Sequence, residues 1–404
     1  MVHVRKGEFI GPVLLDGHEV ATITAYLFHA GGHDNPATLK ANLGLAFRGC
    51  ETGSLGFLLP ETHPGFAAFS LLADPRRPGL RLLKAYVGGE DLYADPGRER
   101  QRRYVFDVDG LSSSEMGRLS DVREYLEDTV RPDLLARGEI QETTLEWWHF
   151  RRPSIGLREA LGRLPRLLVC SRIGNALAFS FLPANTIANE KTVIFAFSAF
   201  AALAVLQGRT HELWTRLFSS TLKDDLQYTP SECFDTIPFP SHFDTVPTLE
   251  QAGREYYEFR AALMVKNNEG LTTTYNRFHD PQEDHPDVLR LRELHEAMDR
   301  AVLDAYGWTD IQPKCEFLLD YEEEEDEEEN GPRRRKKPWR YRWPDEIRDE
   351  VLSRLLELNR QRAIEEGQVP VAAESGGSVS TKRRRSKKTA PAPAGTLLVG
   401  SDPE

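Results

Sequence analysis

Ten cations stand between Arg151 and Lys223: Arg151, Arg152, Arg158, Arg163, Arg166, Arg172, Lys191, Arg209, Arg216 and Lys223, against only Glu159, Glu190 and Glu212. Such a block suits a polyanion, because guanidinium and ammonium groups donate charge-assisted hydrogen bonds to phosphate oxygens. It reads equally well as the ordinary positive surface of a soluble domain. The net charge of −12 works against nucleic acid, but eight acids are contiguous at 322–329, so the distribution matters more than the total. Other chemistry is not signalled. There is no GxxxxGK[ST], no GxSxG and no HExxH, and the four cysteines (Cys50, Cys170, Cys233, Cys315) form no CxxC pair. None of the eleven histidines has metal-ligand spacing with them. His279-Asp280 in YNRFHDP reads as a structural pair in a turn.

Holding such cations in place takes a rigid platform. The runs LPRLLVCSRI (164–173), ALAFSFLP (176–183), KTVIFAFSA (191–199) and AALAVLQ (201–207) are bounded by Gly, Pro or Asn. Their β-branched and aromatic content predicts short successive strands of a curved β domain. RTHELWTRLF (209–218) has helical spacing. Earlier, 42–62 reads as short strands with Gly turns and 77–93 as a helix or strand pair closing at Gly88-Gly89. YVFDVDG (104–110) reads as a strand and 114–137 as an amphipathic helix interrupted by Pro132. Beyond Pro240 the spacing predicts helices at 248–266, 286–306 and about 345–366, the last opened by Pro344 and closed by Gly367.

These elements predict an α+β protein in four parts. Residues 1–140 form an N-terminal mixed α/β segment, 141–245 the central β domain, and 246–366 a helical C-terminal domain with a disordered insert at 320–338. Residues 367–404 form a disordered basic tail. The insert joins the acid run to RRRKK (333–337), and the tail carries KRRRSKK; both are low-complexity, solvated sequence. No apolar run reaches the roughly 18 residues of a membrane span. The first residues have no apolar leader core, so a reducing cytoplasm and no membrane partner are expected.

Seven strings carry a more specific signal: EWWHFRRPS (146–154), SRIGNALAFSFLP (171–183), RTHELWTRLFSSTL (209–222), YTPSECFDTIPFP (228–240), EGLTTTYNRFHDP (269–281), LRELHEAMDRAVLDAYGW (291–308) and RYRWPDEIRDEVLSRLLELNRQR (340–362). In this order and spacing they resemble the C-terminal, target-recognising half of the adenine-specific DNA methyltransferases of the type IIG/IIL (MmeI-like) restriction–modification and related phage-defence families. KAYVGGEDLY (84–93) is similar to the segment leading into the recognition domain, and the resemblance covers roughly 40–365. The family's NPP[YF] tetrapeptide, which holds the flipped adenine, is missing here, and no PD…ExK nuclease pattern is evident.

The resemblance implies a target-recognition region without the methyltransferase domain. Arg151, Arg152, Arg172, Lys191, Arg209 and Arg216 then become phosphate ligands. The resemblance puts base-edge readers just before the YTP string, at Lys223, Asp225 and Gln227. Lysine donates to guanine, aspartate accepts from cytosine, and glutamine pairs bidentately with adenine. Trp147 and Trp148 are expected to pack a junction rather than stack on bases. No catalytic residue or metal ligand is expected in this chain. S-adenosylmethionine and adenine methylation would belong to a partner methyltransferase, with or without a nuclease, and double-stranded DNA would be the shared partner. The expected function is a sequence-specificity subunit or fragment. The alternatives are a non-catalytic scaffold of a defence complex, favoured by the acidity, and a truncated methyltransferase without independent function.

Overall fold

The computed structural model describes residues 13–15, 18–20, 23–24, 26–29, 35–93, 102–162, 164–174, 176–222, 225–319 and 339–368. The insert 320–338 and the tail from 369 onward, both expected to be disordered, lie outside the described residues.

Strand Arg166–Ser171 runs antiparallel between Phe179–Pro183 and Thr192–Phe195, and Ala46–Arg48 adds the outer strand beyond Thr192–Phe195. Side chains alternate across a strand. Leu168 and Cys170 therefore enter one apolar cluster with Val193 and Phe195, while Leu167 and Val169 enter another with Ile194 and Leu157. Burial on both faces is why LLVC and VIF read as unbroken apolar runs. A second sheet lays Ile187–Ala188 parallel to Leu83–Val87, followed by Arg103–Phe106 and Leu58–Pro60. It packs with Trp147, Trp148 and Phe150 over a separate core. Strand pairing thus crosses residue 140 twice, through Ala46–Arg48 and through Ile187–Ala188. The mixture of helix and open sheets is an α+β fold, as the sequence predicts.

Two expectations need correction. AALAVLQ is not a strand: Phe200–Gln207 is a helix with all eight residues buried. A helix that is apolar all round shows no 3.6-residue period, so its pattern matches that of a buried strand. The three alanines were the available helix signal. The single helix expected at 114–137 is three short ones, Ser113–Met116, Ser120–Thr129 and Arg131–Ala136. Ser112 and Glu115 close a capping box at the first, and Pro132 sits in the first turn of the last, where its missing N–H costs nothing.

The C-terminal helices Pro247–Asn267, Pro286–Ala305 and Asp345–Glu365 fall close to their expected bounds, and Leu271–Phe278 adds a fourth. Their stripes are covered within the chain: Leu249, Leu263, Leu291, Met298, Val302 and Leu355 join the same core as the central sheet. Buried Arg260 links the layers, donating to Phe179 O (2.5 Å), to Gln207 Oε1 (3.1 Å) and to the Tyr275 hydroxyl (2.8 Å). Asn42 Nδ2 donates to Phe234 O and Ile237 O, while Asn359 Nδ2 donates to Thr236 O, so CFDTIPFP is pinned from both chain ends. Among the described residues no helix is long and apolar enough to cross a membrane.

Where helix 247–267 crosses helix 200–207, a Cβ on Gly253 would stand 2.2 Å from Phe200 O. Gly253→Ala is therefore expected to force the helices apart and to destabilise the protein by about 1–3 kcal/mol. Urea denaturation checks this, as a lower midpoint at unchanged slope.

Candidate nucleic-acid interface

The central sheet is covered on both faces, so its charged residues gather where strands end. Strand Ala46–Arg48 finishes with Arg48, Arg172 follows Arg166–Ser171, and Lys191 precedes Thr192–Phe195. The register brings these ends together. Arg172 N donates to Lys191 O (2.8 Å), and Arg48 Nε donates to Glu190 O (3.1 Å). Past Arg48 the chain reaches Glu51, whose main chain pairs with Arg152. Arg151 donates to Glu51 Oε1 (2.8 Å) and to Glu139 through two guanidinium nitrogens. Arg152 is 62% exposed, with its Nε 3.6 Å from Glu51.

These groups feel one another. The hydrogen bond from Arg151 lowers the Glu51 carboxyl below its ordinary range, and the charges of Arg151, Arg152 and Arg48 add to it. Burial, then the Arg48 guanidinium, lowers Arg172. Arg48 thus links Arg172 and Lys191 to Arg151 and Arg152 in one patch of cations, with Glu51, Glu139 and Glu190 interleaved. Sequence reasoning missed Arg48, since it lies outside the basic block and arrives through an exchanged strand.

The proposed base readers lead into the same region. Strand Ile173–Gly174 pairs with Asp225–Gln227, which pairs in turn with Ser220–Leu222. Ile173 lies opposite Gln227, and Tyr228 N donates to Arg172 O (2.8 Å). Half-buried Gln227 therefore stands beside the patch. Asp225 takes part through its main chain, while its side chain and the whole of Lys223 lie outside the described residues. Tyr228 anchors the hairpin: its buried hydroxyl is 3.0 Å from His211 Nε2, on helix Arg209–Phe218.

Other cations of the basic block are elsewhere. Arg209, expected as a phosphate ligand, is 3% exposed; it is bound to Asp299 and donates to Tyr341 O (3.2 Å). A desolvated arginine so engaged holds the core together and has no face to offer a phosphate. Arg216 pairs with Glu212 one turn away (2.9 Å), on a helix separate from the strand-end patch. Arg158 is an internal group bonded to Asp107, which also holds Lys84. Arg166 stacks between Phe181 and Phe200 with its guanidinium carbon 3.8 and 4.2 Å from the ring centres. Arg163 lies outside the described residues. The block is therefore less positive at the surface than its composition suggests.

Trp147 and Trp148 are packed inside, and Trp148 Nε1 donates to Leu111 O (3.0 Å). His279 is half-buried and accepts from Tyr341 N (3.1 Å), a structural contact. Arg209, Glu212, His279 and Arg340 border a cavity of about 20 Å³, room for one water. Among the described residues no three His, Cys, Asp or Glu are grouped to hold a metal.

Residues 72–241 match the family model described as "MmeI, target recognition domain". The matched stretch contains every residue of the patch except Arg48 and Glu51. Among solved structures the chain is similar to one of the type IIL restriction–modification enzyme MmeI in complex with DNA, at 16% identity and a TM-score of 0.48, over 86% of this chain. The chain spans 39% of the length of that structure. No curated protein matches it.

The His211 anchor carries a pH dependence. Burial pushes this imidazole down to about 4, whereas the unfolded chain protonates it near 6.5. Between these values the unfolded state binds more protons, so the stability is complete above pH 6.5 and is lost as pH falls toward 4. The urea midpoint is expected to fall across that window, and His211→Gln to flatten the fall. An equally steep profile in the variant would contradict the assignment.

Proposed function

We propose that this chain reads a specific duplex DNA sequence for a type IIL-like restriction–modification system, in which adenine-N6 methylation is performed by another stretch of protein. The observation that carries the reading is the family match over 72–241, a stretch in which the fold gathers Arg151, Arg152, Arg172, Lys191 and Gln227 at one end of a rigid sheet.

Phosphate contacts set register and supply sequence-independent affinity; base-edge contacts choose the site. Arg152, Arg172 and Lys191 are the phosphate ligands, joined by Arg48. Arg151 is already matched by two carboxylates and serves chiefly to orient the segment that carries Arg152. The Ser220–Gln227 hairpin enters the major groove, which admits a two-stranded ribbon. There Gln227 offers the amide that pairs with adenine, with Lys223 and Asp225 as its companions. S-adenosylmethionine binds to the methyltransferase module and not to this patch. The action of the assembled system on phage DNA belongs to the same proposal.

Arg152→Ala and Arg172→Ala are expected to weaken binding by the same factor on every duplex, each making the plot of log affinity against log salt shallower by about 1. Arg151→Ala should cost less, because it removes a charge already neutralised. Gln227→Ala should instead alter preference at one base pair by about 1–3 kcal/mol. Fluorescence anisotropy over a salt series, with selection from randomised duplexes, measures both classes. Unchanged affinity in the arginine variants together with an unchanged site in Gln227→Ala would refute the reading.

A further inference from the structure

Asn189 is buried, yet three cations of the patch are fastened to the turn it opens. Its Oδ1 accepts from Lys191 N (3.0 Å), a turn closed by the side chain rather than by backbone. Its main-chain oxygen accepts from Thr192 N (3.0 Å) and from Thr192 Oγ1 (2.6 Å). Its N–H donates to Val87 O (2.9 Å) in the second sheet. Cys50, two residues beyond Arg48, bridges to Asn189 and donates to Ala188 O (2.8 Å). Asn189 is thus held by strands from both sheets and is only 7% exposed.

The packing around it is close enough to be selective. A Cβ on Gly49 would stand 1.9 Å from Asn189 O, and one on Gly88 would stand 2.8 Å from Asn189 Nδ2. Three apolar clusters also meet here: Ile187 belongs to the second-sheet core, Ala188 to the small core beneath the central sheet, and Val193 to the main core. The cations leave from this point. Glu190 O holds the Arg48 guanidinium, Lys191 O holds the Arg172 main chain, and Lys191 itself is exposed.

We propose that Asn189 is a positioning residue for phosphate binding. It fixes the 189–191 turn, so that Arg48, Arg172 and Lys191 present a preset spacing to consecutive phosphates of a duplex; this rests on the duplex-recognition reading above. Without the Oδ1 acceptor the turn loosens, and the cations keep their charge but lose their common geometry. Electrostatic attraction survives this change, while the number of phosphates engaged at once falls.

The test compares the full chain with Asn189→Ala and with Asn189→Ser, which keeps a weaker, shorter-reaching oxygen acceptor. Each protein is first checked for folding by circular dichroism and then titrated with a fixed duplex at several salt concentrations, well below its melting temperature. Asn189→Ala is expected to bind about tenfold more weakly and to show a salt plot shallower by about 1–2. Asn189→Ser should shift the same way by less. A merely structural residue would lower the melting temperature but leave the slope of the folded fraction unchanged; that outcome, with wild type binding steeply, overturns the proposal. If Asn189→Ala does not fold, Asn189→Leu, which keeps the volume and removes the acceptor, decides: a folded protein with wild-type slope and affinity overturns it equally. A wild-type chain without salt-steep duplex binding would overturn the duplex reading itself, whatever the variants do.

Discussion

A sheet covered on both faces can show charge only at its ends. Leu168 and Cys170 face the helices, and Leu167 and Val169 face the opposite core. Arg48 is therefore the last paired residue of its strand, and Arg172 and Lys191 lie just beyond the Ser171–Thr192 pair, where their heads reach water while their backbones stay tied to the ladder. That arrangement couples affinity to rigidity. The side chains are long, but each starts from a main-chain atom that cannot drift, which reduces the conformational entropy lost when a polyanion is bound.

The same constraint reconciles an acidic chain with an anionic partner. Net charge governs solubility and long-range attraction, whereas local geometry governs contact. The acids near the patch are not idle. Glu51 and Glu139 hold Arg151 from two sides, so part of the positive charge is spent on fixing the segment that carries Arg152. A patch built this way repays close approach by a matched phosphate array and gives little to diffuse anions.

How much of this was legible depended on whether the signal was local. The amphipathic helices at 247–267 and 286–305 announced themselves, since one face is buried and the other is wet. Helix 200–207 did not, because burial on every side erased its period. The positions of Arg172 and Lys191 could be inferred from strand ends. Arg48 could not, because its place at the patch comes from a strand exchange spanning more than a hundred residues. Arg209 misled for the opposite reason: a cation among cations reads as surface, and its partner Asp299 is ninety residues away on another helix. Long-range pairing, not residue type, separated what could be read from what could not.

The account is tested most directly by hydrogen–deuterium exchange of the full chain with and without duplex DNA. It predicts added protection concentrated in the peptides that carry 48–52, 151–153, 172–174, 189–192 and 225–228, with the helices at 247–267 and 345–365 unchanged. Protection confined to those helices, or none at the strand ends under conditions where the duplex is bound, would contradict it.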